Sequence, residues 1–352
     1  MNLQTRFATF RPQRGMSLIE LMISIVIGML IVAALLALYL NVTRTNNEMA
    51  KANRQIENGR FAIQVLHNDL VHAGFWGRLG YTQPPAPSMP APTAIPNPCS
   101  VAGWSDEHKR NLLAIPVQGY ADGATLAACN VSGVLPASDV LVVRHANTCA
   151  FGTAGCDGGT DTGPHIQISA CRTAVPPEAE YVIESDVAKF TLRGKNCGGT
   201  AERRKLISNI YYVATSNGLP TLMRIRLVNG AYSQPEPLIE GIEAFRVEYG
   251  IDNVGRNGQP VSPTNPGDGS ADQYVTSKAL YEAGNSLDLH ANIVAAKIHV
   301  LARNLETTAG YTDVKSYRLG ATQIPAANDR FKRHVFSTTV RLINPSGRRE
   351  NP

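Results

Sequence analysis

Charge is scarce in this chain. Asp, Glu, Lys and Arg make up 17% of its 352 residues, below the roughly one quarter usual for a soluble protein. None of the four occurs across residues 21–43, LMISIVIGMLIVAALLALYLNVT, and an apolar run of that length crosses a bilayer as a helix. That argues against a simple cytosolic enzyme. Proline is missing between Pro12 and Pro84, so nothing there forbids one continuous helix. Acid is missing from the first fifteen residues, which hold Arg6, Arg11 and Arg14, and of the formal net charge of +5 only 5 − 3 = +2 belongs to the rest. So small an imbalance exerts no general pull on nucleic acid or anionic lipid. Dinucleotide fingerprints, phosphate loops, H-E-x-x-H, G-x-S-x-G and C-x-x-C are all lacking, which removes the usual signatures of nucleotide, hydrolase and zinc chemistry. His145, His165, His290, His299 and His334 have no nucleophile partner in sequence. Each is expected to be a hydrogen-bonded or surface histidine, and no enzyme activity is expected.

What is present begins with a basic, acid-free N-terminus ahead of the apolar run, the layout of an export signal whose arginines stay in the cytoplasm. The run exceeds the roughly 7 to 15 residues of a secretory h-region, and its arginines are not paired as a twin-Arg signal requires. Glu20 stands at the front of the run, where a carboxylate costs about 2.5 to 3.5 kcal/mol if central in the bilayer and less near an interface. A plain signal anchor gives no reason to keep it. The stretch 14–21, Arg-Gly-Met-Ser-Leu-Ile-Glu-Leu, resembles the type IV pilin leader-peptidase site. The resemblance implies that Gly15 ends the leader, that Met16 becomes the new N-terminus and is N-methylated, and that Glu20 is the glutamate at the fifth mature position. Met16 stands where most relatives have Phe. Glycine lets the backbone enter a tight active site, and methylation leaves the amine charged.

Beyond Asn41 the composition turns polar without helix breakers until Gly74-Phe75-Trp76-Gly77. Met49, Ala52, Ile56, Ile63, Leu66, Leu70 and Ala73 recur at helical spacing and predict an apolar stripe packed on the following domain. Glu48 with Lys51 and Glu57 with Arg60 are spaced to support the surface. A helix from about 16 to 73 would be on the order of 85 Å long, with residues 18–40 in the membrane. Gly28 is expected to let a neighbouring helix approach.

Seven prolines between Thr82 and Pro98 predict an extended, largely solvated connection over 74–98. From there the pattern has period two. Strands are expected at 112–117, 139–145, 181–183, 207–214, 222–228, 245–251, 293–303 and 335–343, and a second helix near 276–283. Asn217-Gly218 signals a hairpin, with a loop that reads as longer than two residues. The expected fold class is α+β and pilin-like: a long N-terminal helix with a transmembrane first half, then a β-rich, disulfide-bonded exported domain over 99–352.

Cys99, Cys129, Cys149, Cys156, Cys171 and Cys197 all follow the connection. An even count on the exported side predicts disulfides, between sequence neighbours and most readily Cys149 with Cys156. Asp268, Ser270 and Asp272 alternate as in calcium loops, with Asp252 ahead of them, but EF-hand positions six and twelve counted from Asp268 are Gln273 and Ala279. A solvated turn is the expected reading, calcium the alternative, and no other metal or cofactor is expected. The basic residues Arg330, Lys332, Arg333, His334, Arg341, Arg348 and Arg349 are read as solvated edge charges protecting a terminal strand, not as a nucleic-acid surface.

Three blocks narrow the family: 57–62 with 72–77 at the end of the helix, 241–250 (GIEAFRVEYG) and 333–342 (RHVFSTTVRL). They are similar to PilW-type minor pilins. The resemblance implies a low-abundance pilin that helps initiate type IV pilus assembly near the tip. Its partners would be other minor pilins and the major pilin, the leader peptidase/methyltransferase, the inner-membrane assembly platform and inner-membrane lipid. A type II secretion pseudopilin and a membrane-anchored periplasmic adhesin or binding module are the alternatives.

Overall fold

The computed structural model describes residues 15–80, 89–101, 103–121, 124–156, 162–171, 178–262, 265–282 and 284–350. Arg6, Arg11 and Arg14 of the expected leader, and part of the Pro-rich connection, lie outside the described residues. Two compact units divide the chain, Met1–Ala52 and Asn53–Pro352. Helix α1 (Leu18–His72) enters both. In the first unit every described side chain from 15 to 47 is exposed, an apolar surface that water does not tolerate at this length.

The second unit is β-rich. Its first sheet contains β1 (Val117–Tyr120), β2 (Val140–Ala146), β3 (His165–Ile168), β4 (Tyr181–Glu184), β5 (Arg203–Ser216), β6 (Leu219–Val228), β7 (Ala231–Tyr232) and β8 (Glu236–Glu240). The order is β1-β2-β5-β3-β4, with β6 on the other side of β5 and itself paired with β7 and β8. The long strand β5 serves two neighbours along one edge, β2 opposite 206–211 and β3 opposite 203–205. The second sheet has β9 (Ile242–Ile251) and β10 (Gln273–Thr276), then β11 (Ile293–Arg303) and β14 (Arg333–Arg341), in the order β10-β9-β11-β14; β12 (Tyr317–Leu319) and β13 (Thr322–Ile324) form a separate hairpin. Every strand pair is antiparallel. The α+β class expected from the sequence is the one observed.

Three local expectations are corrected. Residues 112–114 are not strand but the end of α2 (Asp106–Ala114), because Ser105 Oγ accepts the His108 N–H at 3.1 Å and Asp106 and Glu107 sit in the first turn. A cap and two acids at the dipole's positive end outweigh the apolar alternation of Leu112, Leu113, Ile115 and Val117. The β5–β6 loop has only two residues: Ser216 pairs with Leu219, and Asn217 and Gly218 take φ of 50° and 76°, the left-handed pair of a tight hairpin turn. The helix expected near 276–283 is a single turn, α3 (Ala279–Glu282), followed by α4 (Ser286–Ala291).

The described end of the Pro-rich connection is held rather than fully solvated. Thr93 N donates to Asn111 Oδ1 at 2.8 Å, and Gln118 Nε2 donates to the Pro96 carbonyl at 2.9 Å. One core joins both sheets to the end of α1, with Ala62, Leu66, Leu70 and Ala73 packed among Leu141, Tyr211, Phe245, Tyr249 and Ile298. The sheets meet at Asp139. Its N–H donates to Phe245 O, while its carboxylate accepts from Arg246, Val247 N and Ser277 Oγ.

Candidate functional site

The start of α1 is built by Ser17, Ile19 and Glu20. Ser17 Oγ accepts the Ile19 N–H at 3.2 Å, and the Glu20 carboxylate reaches back to accept the Ser17 N–H at 3.1 Å. This is the reciprocal capping box that Ser-x-x-Glu encodes, and it places a carboxylate at the positive end of the helix dipole. Glu20 thus has a local reason to sit beside the first turn. Met16, 67% exposed, and Gly15 precede it, and nothing approaches the position a Cβ would take on Gly15. Ser24 and Thr45 turn their hydroxyls onto the Glu20 and Asn41 carbonyls four residues back. Their polar atoms are therefore satisfied within the helix, as an apolar surrounding demands. Gly28 has open space around it.

In the second unit the lower part of the expected stripe, Leu66, Leu70 and Ala73, is buried, whereas above it α1 docks through residues outside the stripe. The buried residues are Gln55, Gly59, Ala62, Leu66 and Leu70, whereas Ile56 is exposed and Ile63 only partly covered. Two of the contact residues carry no apolar side chain. Gln55 Nε2 donates to the Ala302 and Lys332 carbonyls at 2.7 and 3.0 Å. Gly59 is the seat of Phe336, whose ring occupies the space a Cβ would take. Lower down, the Asp69 carboxylate meets His145 Nε2 at 3.0 Å and Asn209 Nδ2 at 3.1 Å. The helix stops at Gly74, φ +70°, and its last carbonyls are capped from helix α5 (Ile343–Glu350). Asn344 Nδ2 donates to Ala73 O at 3.2 Å and Arg348 Nη1 to Gly74 O at 3.0 Å.

The remaining sequence candidates are structural. The six cysteines pair as Cys99–Cys129, Cys149–Cys156 and Cys171–Cys197. Asp252 is not part of a solvated turn. It is fully buried, accepts the Gly269 N–H at 2.8 Å and pairs with Arg349 at 3.4 Å. Burial pushes its carboxyl up, against the pull of the Gly269 N–H and Arg349. Asp272 accepts from Asn253 N and Val254 N, and Asp268 from Ser270 N, so the loop's own backbone occupies the three carboxylates read as calcium candidates.

The reading of the basic residues as solvated edge charges holds for Arg330, His334 and Arg341, which are exposed, and is corrected for Arg333 and Arg349. The Arg333 side chain is 2% exposed and lies within 2.5 to 3.0 Å of Glu243, Asp313 and Asp329. Arg341 pairs with Glu350. Of the histidines, His165 Nδ1 faces Gly163 O, His290 Nδ1 faces Ser286 O, and His299 Nδ1 faces Ser337 Oγ.

Two family models match the chain. One, described as Type IV Pilus-assembly protein W, covers residues 210–344, and the other, the prokaryotic N-terminal methylation motif, covers residues 10–36. The first runs from within β5 to the start of α5 and includes the second sheet; the second contains Gly15, Met16 and Glu20. No curated protein and no solved structure matches.

Proposed function

Because the chain belongs to the PilW-type minor pilins of the type IV pilus, we propose that it takes part in initiating pilus assembly and enters the filament near its tip. In this reading residues 1–15 are the leader, and cleavage after Gly15 frees the amine of Met16 for methylation. Residues 18–40 of the 16–73 helix span the inner membrane, 74–98 connect, and 99–352 lie in the periplasm until assembly carries them to the surface. The partners are the leader peptidase/methyltransferase, the assembly platform, the other minor pilins and the major pilin.

One observation supports this reading most: an exposed apolar helix whose first turn holds a carboxylate in a capping box, within a segment that matches a methylation motif. Glu20 is satisfied by its own Ser17 N–H in the waiting subunit. On assembly the same carboxylate pairs with the charged N-terminus of an adjacent subunit, which offsets the burial of both charges and sets their register.

Gly15→Val should leave an uncut precursor about fifteen residues longer on a gel, since a β-branched residue does not fit a site shaped for glycine; normal processing would refute the leader assignment. Glu20→Ala should be cut normally yet fail to co-purify with the other pilins. Unchanged co-purification sinks the register role.

A further inference from the structure

Arg144 departs from the way this protein treats its other buried charges. Arg333 has three carboxylates, Arg246 has Asp139, and Arg349 has Asp252. Arg144, on β2, is 1% exposed, and among the described residues no carboxylate forms an ion pair with it. Its Nη1 donates to the Ile115 carbonyl at 3.3 Å, and the Tyr232 hydroxyl is its other hydrogen-bonding neighbour. A guanidinium has five N–H donors, and arginine is almost never fully buried without a partner.

Among the described residues, the groups that couple favourably to Arg144 are tyrosines. Tyr120, Tyr232 and Tyr281 lie close enough to couple electrostatically to Arg144. Tyr120 and Tyr281 stack with centroids 5.3 Å apart, and Tyr281 meets the His290 ring at 5.0 Å. Gln118 Nε2 donates to Tyr120 Oη at 3.2 Å, while the buried Gln118 Oε1 and His290 Nε2 have no hydrogen-bond partner. Burial draws the guanidinium down from its ordinary value, with the tyrosines pulling back. His108 is lowered by burial and by the positive charge of Arg144. Tyr281 is 39% exposed, so the cluster reaches solvent at that ring. Arg144, Gln118 and Tyr120 all stand outside the 210–344 match, so the family match does not cover them.

We propose that this cluster binds a small hydroxycarboxylate. The guanidinium fork takes the two carboxylate oxygens, a geometry that a planar Arg offers and a point charge does not, and Gln118 Oε1 accepts the neighbouring hydroxyl. The site is independent of the assembly role.

The test is thermal unfolding of the detergent-solubilised full-length protein at constant ionic strength, titrated with lactate, acetate or sulfate. Lactate should raise the midpoint saturably and acetate should do so with weaker affinity, while sulfate should give only the smaller, non-saturable rise of an excluded salt. Arg144→Gln should abolish the lactate response. Because that variant alters a buried site, Tyr281→Phe and Gln118→Leu provide second tests, with Gln118→Leu expected to reduce lactate affinity about threefold or more while leaving acetate affinity unchanged, as loss of one hydrogen bond requires. Tyr281→Phe keeps the ring and should leave the unliganded midpoint near that of the parent protein while weakening both ligands. The proposal is overturned by an absent or non-saturable lactate response, by an equal sulfate response, or by unchanged lactate affinity in Arg144→Gln or Gln118→Leu.

Discussion

At the scale of single residues, Arg333 and Gly59 show what the sequence hides. Arg333 draws its partners from positions 243, 313 and 329, separations at which no local pattern exists, so its place in a basic run was misleading. Burial pushes the Asp313 carboxyl up, but hydrogen bonds from Arg333, Tyr317 and Tyr311 outweigh it and hold it below the usual range; Asp329 is held down chiefly by Arg333. Arg333→Met should therefore cost about 3 to 5 kcal/mol at pH 7, because it strands the buried Asp313 carboxylate. Both carboxyls have folded values below their unfolded ones. Their stabilisation is complete above about pH 4 and is lost as pH falls through the folded values. Urea unfolding should show the gap between parent and variant narrowing below pH 4; a gap independent of pH contradicts the network. Gly59→Ala should cost about 1 to 3 kcal/mol through its clash with Phe336, and a Phe336→Leu background should recover part of that loss in a double-mutant cycle.

At the scale of elements, period two was enough to locate the central strands: β5, β6, β9 and β11 contain the segments expected, and the segment expected at 335–343 follows β14 only to Arg341, with α5 beginning at Ile343. Helix α2 was not, since its apolar residues also fit an alternating template and only Ser105-Asp106-Glu107 distinguishes the two. The upper part of α1's docking face was missed for a related reason: Gln55 and Gly59 make contact through an amide and through the lack of a side chain, and neither counts as apolar, whereas Leu66, Leu70 and Ala73 below them lie where the stripe put them. The disulfides act at this scale too. Cys99–Cys129 and Cys149–Cys156 span separations of 30 and 7 residues, so chain-entropy reasoning assigns them about 3.6 and 2.4 kcal/mol. Paired Cys→Ser variants should lose stability in that order when unfolded in urea, and equal losses would mean that the loops are already ordered in the unfolded chain.

At the scale of the whole molecule, the parts divide the work. The segment readable from short-range sequence, Gly15 to Glu20, is the one proposed to act. The second unit's polar clusters at Arg333, Asp69 and Asp252, which needed the fold to be seen, hold the helix and the sheets together. The proposed function requires that this chain be cut, methylated and built into a filament. Mass spectrometry of its N-terminal peptide in the sheared pilus fraction tests that most directly. The expected peptide begins at N-methylated Met16 and is present with the filament; a peptide that starts elsewhere, or that stays wholly with the membrane, rules the proposed function out.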